Sequence, residues 1–307
     1  MSSIDQKLKS KHLIVIVGPT AIGKTALSIA IAKKYNCEVL SADSRQFYKE
    51  MEIGTAKPTI KEMDGVRHHF VDNLSIHDRY TAGMFEIDAL EALEELYKTN
   101  DVAILVGGSG LFVDAVCNGF DDVPSDQEIR TALIKEYEDN GLEPLQIELK
   151  EKDPEYYKIA DIQNSRRILR ALEVVRASGN TFTSYRNKAP KERPFNIHYI
   201  GLNTDRELLY NRINYRVDLM VEAGLINEVK SLLPYRNLSP LNTVGYRELY
   251  DQMDDQESLD KAISKIKQNT RKFAKRQITW FKRNENTRWF NINSNSEVLE
   301  YLNVTLK

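Results

Sequence analysis

The octet Gly18, Pro19, Thr20, Ala21, Ile22, Gly23, Lys24, Thr25 carries the spacing GxxxxGK[ST]. Glycines at those positions let successive backbone N–H groups converge on one concavity. Lys24 supplies a cation to bridging phosphate oxygens, and Thr25 offers a hydroxyl to Mg2+. Such a loop binds a di- or triphosphate, as in nucleotide-binding and ATP-binding proteins, and is silent on what the phosphate is attached to. The plainer alternative is a glycine turn that caps a helix.

Two further positions lie where a strand should end. Asp43, followed by Ser44, Arg45 and Gln46, brings a carboxylate beside the phosphate loop as a candidate general base or Mg2+ partner. The same Asp-x-x-Gln spacing is also a helix capping box, in which the side chain only satisfies a backbone N–H. Ser109, within Gly107-Gly-Ser-Gly110, stands where a typical ATPase shows an acidic residue. Its hydroxyl could meet a phosphate oxygen or a developing charge, or cap a helix from Leu111. The missing strand-end Asp argues against a simple ATP hydrolase.

Charge is unevenly placed behind a formal net charge of -2. Residues 121–161 hold 13 Asp/Glu against 5 Lys/Arg, whereas residues 261–288 hold 10 Lys/Arg against the single Glu285. In the segment 261–283, Ile263, Ile266, Phe273 and Trp280 approximate one helical face, and the cations Lys265, Lys267, Arg271, Lys272, Lys275, Arg276, Lys282 and Arg283 surround it. A solvated helix interleaves Glu with Lys, so this density favours a polyanion partner. A second basic cluster, Gln163, Asn164, Ser165, Arg166, Arg167 and Arg170, opens a helix with Asn164 or Ser165 as its cap. Arg170 is read as an ordinary ion-pair partner of the acidic residues around it, and Arg130 is open between that role and a phosphate contact. Arg212 and Arg216, four apart, share a face that could clamp a pyrophosphate, with Glu207 and Asp218 as ordinary partners.

These residues need a frame. Apolar runs at 12–17, 37–42 and 101–107 alternate with helical stretches over the first 115 residues, and they are continuous rather than alternating. That pattern predicts an α/β fold, a P-loop NTPase-like doubly wound parallel sheet. Residues 124–179 show helical periods punctuated by Gly141, Pro144, Pro154 and Gly179 and no strand. The segment 195–202 restores a strand that rejoins the sheet, and 288–292 forms a last short one. The expected division is a core of residues 1–120 and 195–307 with a helical insertion domain at 121–194. The 307 residues, 41% hydrophobic and 29% charged, exclude a disordered chain. No apolar run approaches the ~20 residues of a membrane helix. Cys37 and Cys117 form neither a disulfide framework nor a zinc pair, which fits a reducing cytoplasm. The adjacent His68 and His69 point to opposite faces of a strand and make no metal site.

Taken together, Gly18-Pro-Thr-Ala-Ile-Gly-Lys-Thr25, Ser41-Ala-Asp-Ser-Arg-Gln46 with Tyr48, Ile53-Gly-Thr-Ala-Lys-Pro58, Val106-Gly-Gly-Ser-Gly110, Thr243-Val-Gly-Tyr-Arg247 and Ala274-Lys-Arg-Gln-Ile-Thr-Trp280 resemble the bacterial tRNA dimethylallyltransferases. The last two stretches are not shared with P-loop kinases, and the motifs span nearly the whole chain. The resemblance implies transfer of a dimethylallyl group from its diphosphate to the exocyclic amine of the adenosine 3′ of the anticodon. It implies Asp43 as general base, Ser109 as the hydroxyl at the reacting centre, and residues 20–25 with Arg216 on the donor diphosphate. It places Asp43, Ser44, Arg45, Gln46, Arg130, Gln163, Asn164, Ser165, Arg166, Arg167, Asn242, Thr243, Val244, Gly245, Tyr246 and Arg247 against the tRNA anticodon stem-loop. The implied enzyme is cytoplasmic, monomeric and Mg2+-dependent, with no membrane partner. Many members carry Thr at the position of Ser109 and Tyr at that of Phe112. Ser keeps the hydroxyl; Phe loses any phenol role. A small-molecule P-loop kinase would explain residues 18–25 and leave 261–288 without a purpose, and a noncatalytic RNA-binding protein would use only the basic surfaces.

Overall fold

The strand His12–Val17 (β1) sends Leu13, Val15 and Val17 into one apolar core and Ile14 and Ile16 into another. All five are essentially inaccessible to solvent, which is why the run reads as continuous rather than alternating. A computed structural model describes residues 10–119, 123–186, 190–255 and 258–306.

The chain continues through helix Lys24–Tyr35 (α1), strand Val39–Ser41 (β2), the short helix Ile60–Met63 (α2), strand His68–His69 (β3), helix Ala82–Leu96 (α3), strand Val102–Gly107 (β4) and helix Gly110–Asn118 (α4). Five helices follow: Gln127–Asn140 (α5), Glu143–Lys152 (α6), Pro154–Ile159 (α7), Ser165–Ser178 (α8) and Phe182–Arg186 (α9). Strand Asn196–Asn203 (β5), helices Arg206–Glu222 (α10), Leu225–Ser231 (α11), Arg247–Asp255 (α12) and Leu259–Phe281 (α13), strand Arg288–Asn291 (β6) and helix Asn295–Thr305 (α14) complete it. The six strands form one all-parallel sheet in the order β3-β2-β4-β1-β5-β6. Helices cover both faces, with Phe85, Ala89 and Leu93 of α3 in the first core and Leu27 and Ile31 of α1 in the second. This is the doubly wound P-loop architecture, with the segments 195–202 and 288–292 in the sheet.

The chain divides into two compact units, Met1–Cys117 with Arg193–Lys307, and Asn118–Glu192; residues 120 and 121, where a boundary was expected, lie outside the described ones. The second unit packs α5–α9 around Leu133, Leu149, Ile168 and Leu172. Its Glu173, 1% exposed, takes Arg130 Nη1 at 2.8 Å and Arg170 Nη1 at 2.9 Å. Arg170 is therefore an internal partner, and the guanidinium of Arg130, expected on RNA, is also paired inside the unit. Asn164 rather than Ser165 caps α8, its side chain accepting the Arg167 N–H at 3.4 Å, and Gly179 ends the helix in the left-handed region. Gln163, Arg166 and Arg167 are exposed.

The long helix α13 buries Ala262, Ile266, Ala274, Gln277 and Phe281. Phe273, expected in the packing stripe, is 37% exposed. Two of the expected free cations are tied to α10: Lys267 pairs with Asp218 at 2.5 Å and Arg271 Nη1 donates to Asn214 Oδ1 at 2.6 Å. Lys272, Lys275, Arg276, Lys282 and Arg283 remain exposed. Cys37 and Cys117 are buried, and burial pushes both thiols up to about 12, leaving them inert as nucleophiles. His69 Nε2 meets Glu38 at 2.5 Å and His68 Nδ1 the Val66 carbonyl at 2.9 Å.

Candidate active site

The loop between β1 and α1 is shaped by backbone demands that only certain residues meet. Gly18 has φ 149°, and a Cβ there would stand 2.7 Å from the Leu202 carbonyl oxygen. Gly23, at φ 102°, is the N-cap of α1 and leaves the helix without a side-chain cap or any acidic residue in its first turn. The N–H groups of that turn are thus unspent, and an anion can take them. Ala21 adopts φ 63°, a strained conformation for a non-glycine residue, and Arg212 Nε holds its carbonyl at 2.8 Å. Ile22 is a packing residue of the second core.

Lys24 Nζ donates to the carbonyls of Gly18 at 3.0 Å and Pro19 at 2.8 Å. Burial lowers its pKa to about 8, with the Asp43 carboxylate opposing the shift. Arg216, whose guanidinium is shifted downward by burial and held up by Asp43 and Glu62, donates through Nη1 to Thr20 Oγ1 at 3.2 Å and through Nη2 to the Ala56 carbonyl at 3.3 Å. Both Arg212 and Arg216 reach the loop rather than Glu207 or Asp218. A diphosphate arriving here would bring opposite charge that offsets the desolvation weakening both Lys24 and Arg216.

Asp43 follows β2, and residues 44–47 form a turn, not a helix. The capping box is absent: Gln46 Nε2 reaches the carbonyls of Thr55 and Ala56, each at 3.2 Å. Asp43 Oδ1 accepts the Arg45 N–H at 3.2 Å, a local Asx-type turn that leaves Oδ2 unused by that contact. Ser109 follows β4. Its hydroxyl accepts the Ser44 N–H at 3.0 Å and donates to Ser44 Oγ at 3.0 Å, so it joins two strand ends instead of capping α4.

A cavity of about 450 Å3 opens above these strand ends. Thr20, Ala21, Asp43, Ser44, Arg45, Ser109 and Arg216 form its polar end, and Thr243, Val244 and Gly245 part of its wall. Ile213, Val217, Met220, Leu225, Ile266 and Phe273 supply its apolar wall, with Thr270, Arg276 and Gln277 of α13 beside them. Phe112 lines it too, packed on Phe47 and Phe85 with ring centroids 5.5 and 5.4 Å away. Asn242 and Arg247 are exposed, outside the lining. Tyr246, expected to touch RNA, is fully buried with its hydroxyl on Glu228, so it serves the core.

Sequence reasoning gave no role to Gln277. Its Oε1 accepts the Thr20 N–H at 2.8 Å while its Nε2 donates to the Gly108 carbonyl at 2.9 Å, stitching the phosphate loop to the β4 loop. The signal was present as a lone polar side chain on the buried face of α13. Its neighbour Trp280 lies so close to Gly110 that a Cβ there would sit 2.2 Å from the indole, and its Nε1 donates to Asp114 at 2.9 Å.

Thr25 is exposed in the first turn of α1, and its hydroxyl makes no hydrogen bond among the described residues. No group of three or more His, Cys, Asp or Glu that could cage a metal exists among them either. That donor set fits Mg2+ arriving with a diphosphate, which supplies most of its ligands, and does not fit a resident ion. No described helix is long and apolar enough to cross a membrane.

The profile of the family described as IPP transferase matches residues 46–284. The chain is 49% identical to tRNA dimethylallyltransferase 1 of Bacteroides thetaiotaomicron over 291 residues, 94% of each chain. It is 50% identical to the tRNA dimethylallyltransferase of Flavobacterium johnsoniae over 305 residues, 97% of this chain and 99% of the relative. The crystal structure of the tRNA isopentenylpyrophosphate transferase of Bacillus halodurans superposes with a TM-score of 0.72 at 38% identity, covering 97% of both chains. With the phosphate loop, the strand-end Asp43 and Ser109 and an apolar-walled cavity between them, the chain belongs to the IPP transferase family.

Proposed function

We propose that the protein transfers a dimethylallyl group from dimethylallyl diphosphate to the exocyclic amine of the adenosine 3′-adjacent to the anticodon of tRNA, releasing diphosphate. The observation that carries this is the make-up of the cavity. One end is a phosphate cradle, the wall is largely hydrocarbon, and a carboxylate and a hydroxyl stand where the two meet. A phosphorylated polar metabolite has no use for those apolar walls; an allylic diphosphate has use for every part.

In the reaction the amine nitrogen bonds to the allylic carbon as that carbon's bond to the diphosphate oxygen breaks. Negative charge grows on the leaving group, where the α1 N–H groups, Lys24 and Arg216 stabilise it. Thr25, together with the diphosphate, would hold Mg2+, which would supply further positive charge to the leaving group. The adenine amine is a weak nucleophile because its lone pair is delocalised into the ring, and it must shed a proton as the bond forms. Asp43 takes that proton through Oδ2, Oδ1 being held by Arg45 N–H. Ser109, anchored on Ser44, presents its hydroxyl at the reacting centre. The target base must leave its stack, at a cost of a few kcal/mol. Exposed Lys272, Lys275 and Arg276, together with Ser44, Arg45, Asn242, Arg247, Gln163, Arg166 and Arg167, offer backbone contacts that repay it.

Incubation with dimethylallyl diphosphate and unmodified tRNA, followed by mass analysis of the nucleosides, tests the reading. The expected product is a dimethylallyl-adenosine. Phosphate transfer from ATP to a small acceptor with tRNA left unprenylated would make the protein a kinase, and tRNA binding without turnover of either donor a noncatalytic binder.

A further inference from the structure

The segment Ile53-Gly-Thr-Ala-Lys-Pro58 performs no chemistry of its own, yet Gly54 and Thr55 line the cavity. Residues 53–56 are a turn with no strand or helix to stiffen them. Gln46 Nε2 holds the turn's Thr55 and Ala56 carbonyls from one side, and one carboxylate on α11 gathers its amides from the other. Glu228 Oε2 accepts the N–H groups of Ile53 at 2.7 Å and Glu52 at 3.1 Å, and Oε1 accepts the Gly54 N–H at 2.9 Å and the Tyr246 hydroxyl. None of the four donors is a cation; three successive amides form an anion-binding concavity filled by the protein's own side chain. Tyr246 seals it, because a Cβ on Gly54 would stand 2.4 Å from the phenol ring.

The turn so held presents the Ala56 carbonyl to Arg216 Nη2, and Arg216 in turn contacts Thr20 of the phosphate loop. Glu228 itself does not line the cavity. We infer that Glu228 is a positioning residue for the donor diphosphate: by gathering the 52–54 amides it sets, together with Gln46 on the Ala56 carbonyl, the turn that orients Arg216, and through Tyr246 it braces the 243–245 wall of the same cavity. The inference rests on the diphosphate reading of the cradle. A carboxylate accepts at both oxygens, whereas Gln in its place accepts at one and offers N–H groups where amide donors already point. The turn must then shift, and the guanidinium loses its guide.

The test uses inorganic pyrophosphate with Mg2+, titrated calorimetrically into the full-length protein, with thermal melting alongside. Glu228→Gln should weaken pyrophosphate about tenfold, the loss expected for one charge-assisted contact, and Tyr246→Phe by a smaller factor. In an Arg216→Met background both losses should vanish, because Glu228 acts through Arg216. A variant that melts earlier but binds pyrophosphate as wild type does, or losses that persist in full without Arg216, would overturn the inference. Should Glu228→Gln fail to fold, the Tyr246→Phe and Arg216→Met cycle carries the same decision. A wild-type protein that ignores pyrophosphate would instead overturn the diphosphate reading itself.

Discussion

Asp43→Asn separates chemistry from scaffolding at a single atom. The turn after β2 needs one acceptor, Oδ1, for the Arg45 N–H at 3.2 Å, while Gln46 N–H is held by the Asp43 backbone carbonyl at 3.0 Å. Asn keeps the first and cannot affect the second, so folding should change by well under the ~1 kcal/mol of a lost cap. What Asn loses is the negative charge and the ability to take a proton. Loss of a general base costs roughly 10^2 to 10^4 in turnover, about 3 to 5 kcal/mol of barrier. The charge has a second effect. Asp43 supports the protonated form of Lys24, whose pKa already stands at about 8; without it that pKa falls further, and an assay at high pH would confuse a lost cation with a lost base. The measurement is therefore single-turnover prenylation of preformed enzyme–tRNA–donor complex below pH 7, with pyrophosphate affinity determined in parallel. Affinity should hold or tighten, since an anion has been removed from beside an anion site, while the rate collapses. A single-turnover rate near wild type under these conditions would remove Asp43 from the mechanism.

Replacing Lys272, Lys275 and Arg276 together by Gln should flatten the salt dependence of tRNA binding, by up to about 0.9 per contact in the slope of log K against log salt on the duplex scale; an unchanged slope would turn this face of α13 away from RNA. Pyrophosphate affinity should fall as pH rises through about 8, where the buried Lys24 loses its proton, and Lys24→Arg should show no break there; a break that survives in the Arg protein would assign it to another group. His12 and His198, in contact across β1 and β5 at 2.9 Å, both have pKa values lowered by burial. The unfolded chain therefore binds more protons below the ordinary value of about 6.5, and stability present above that pH is lost as pH falls. Melting temperatures between pH 7.5 and 5 should drop more steeply for wild type than for His198→Asn, and parallel curves would refute the linkage.

The phosphate loop and the βαβ rhythm are legible because local backbone physics dictates both: glycine where φ is positive, continuous apolar runs where a strand is covered on two faces. The site's supporting contacts are not, because they join distant segments. Gln46, which the spacing offers as a capping partner of Asp43, spends its amide on Thr55 and Ala56. Gln277 reaches Thr20 across 257 positions and Glu228 reaches Glu52 across 176, separations at which no periodicity speaks. A motif also mixes roles that spacing cannot separate. Within Thr243-Val-Gly-Tyr-Arg247, three residues line the cavity, Arg247 is exposed and Tyr246 is core. Basic residues also have internal partners that spacing does not reveal, as Arg130 does in Glu173 and Arg271 in Asn214.

The pairing of β1 with β5 has a consequence for biosynthesis. The phosphate loop lies within the first 25 residues, but β1 is flanked on one side by a strand that begins only at Asn196, and Gly18 is seated against the carbonyl of Leu202. As the chain emerges from the ribosome, the loop that is made first therefore acquires its native walls only after some two hundred residues have followed it. Non-local parallel pairing of this kind closes slowly. Until it does, the apolar edge of β1 is an unpaired strand, open to premature association with other chains.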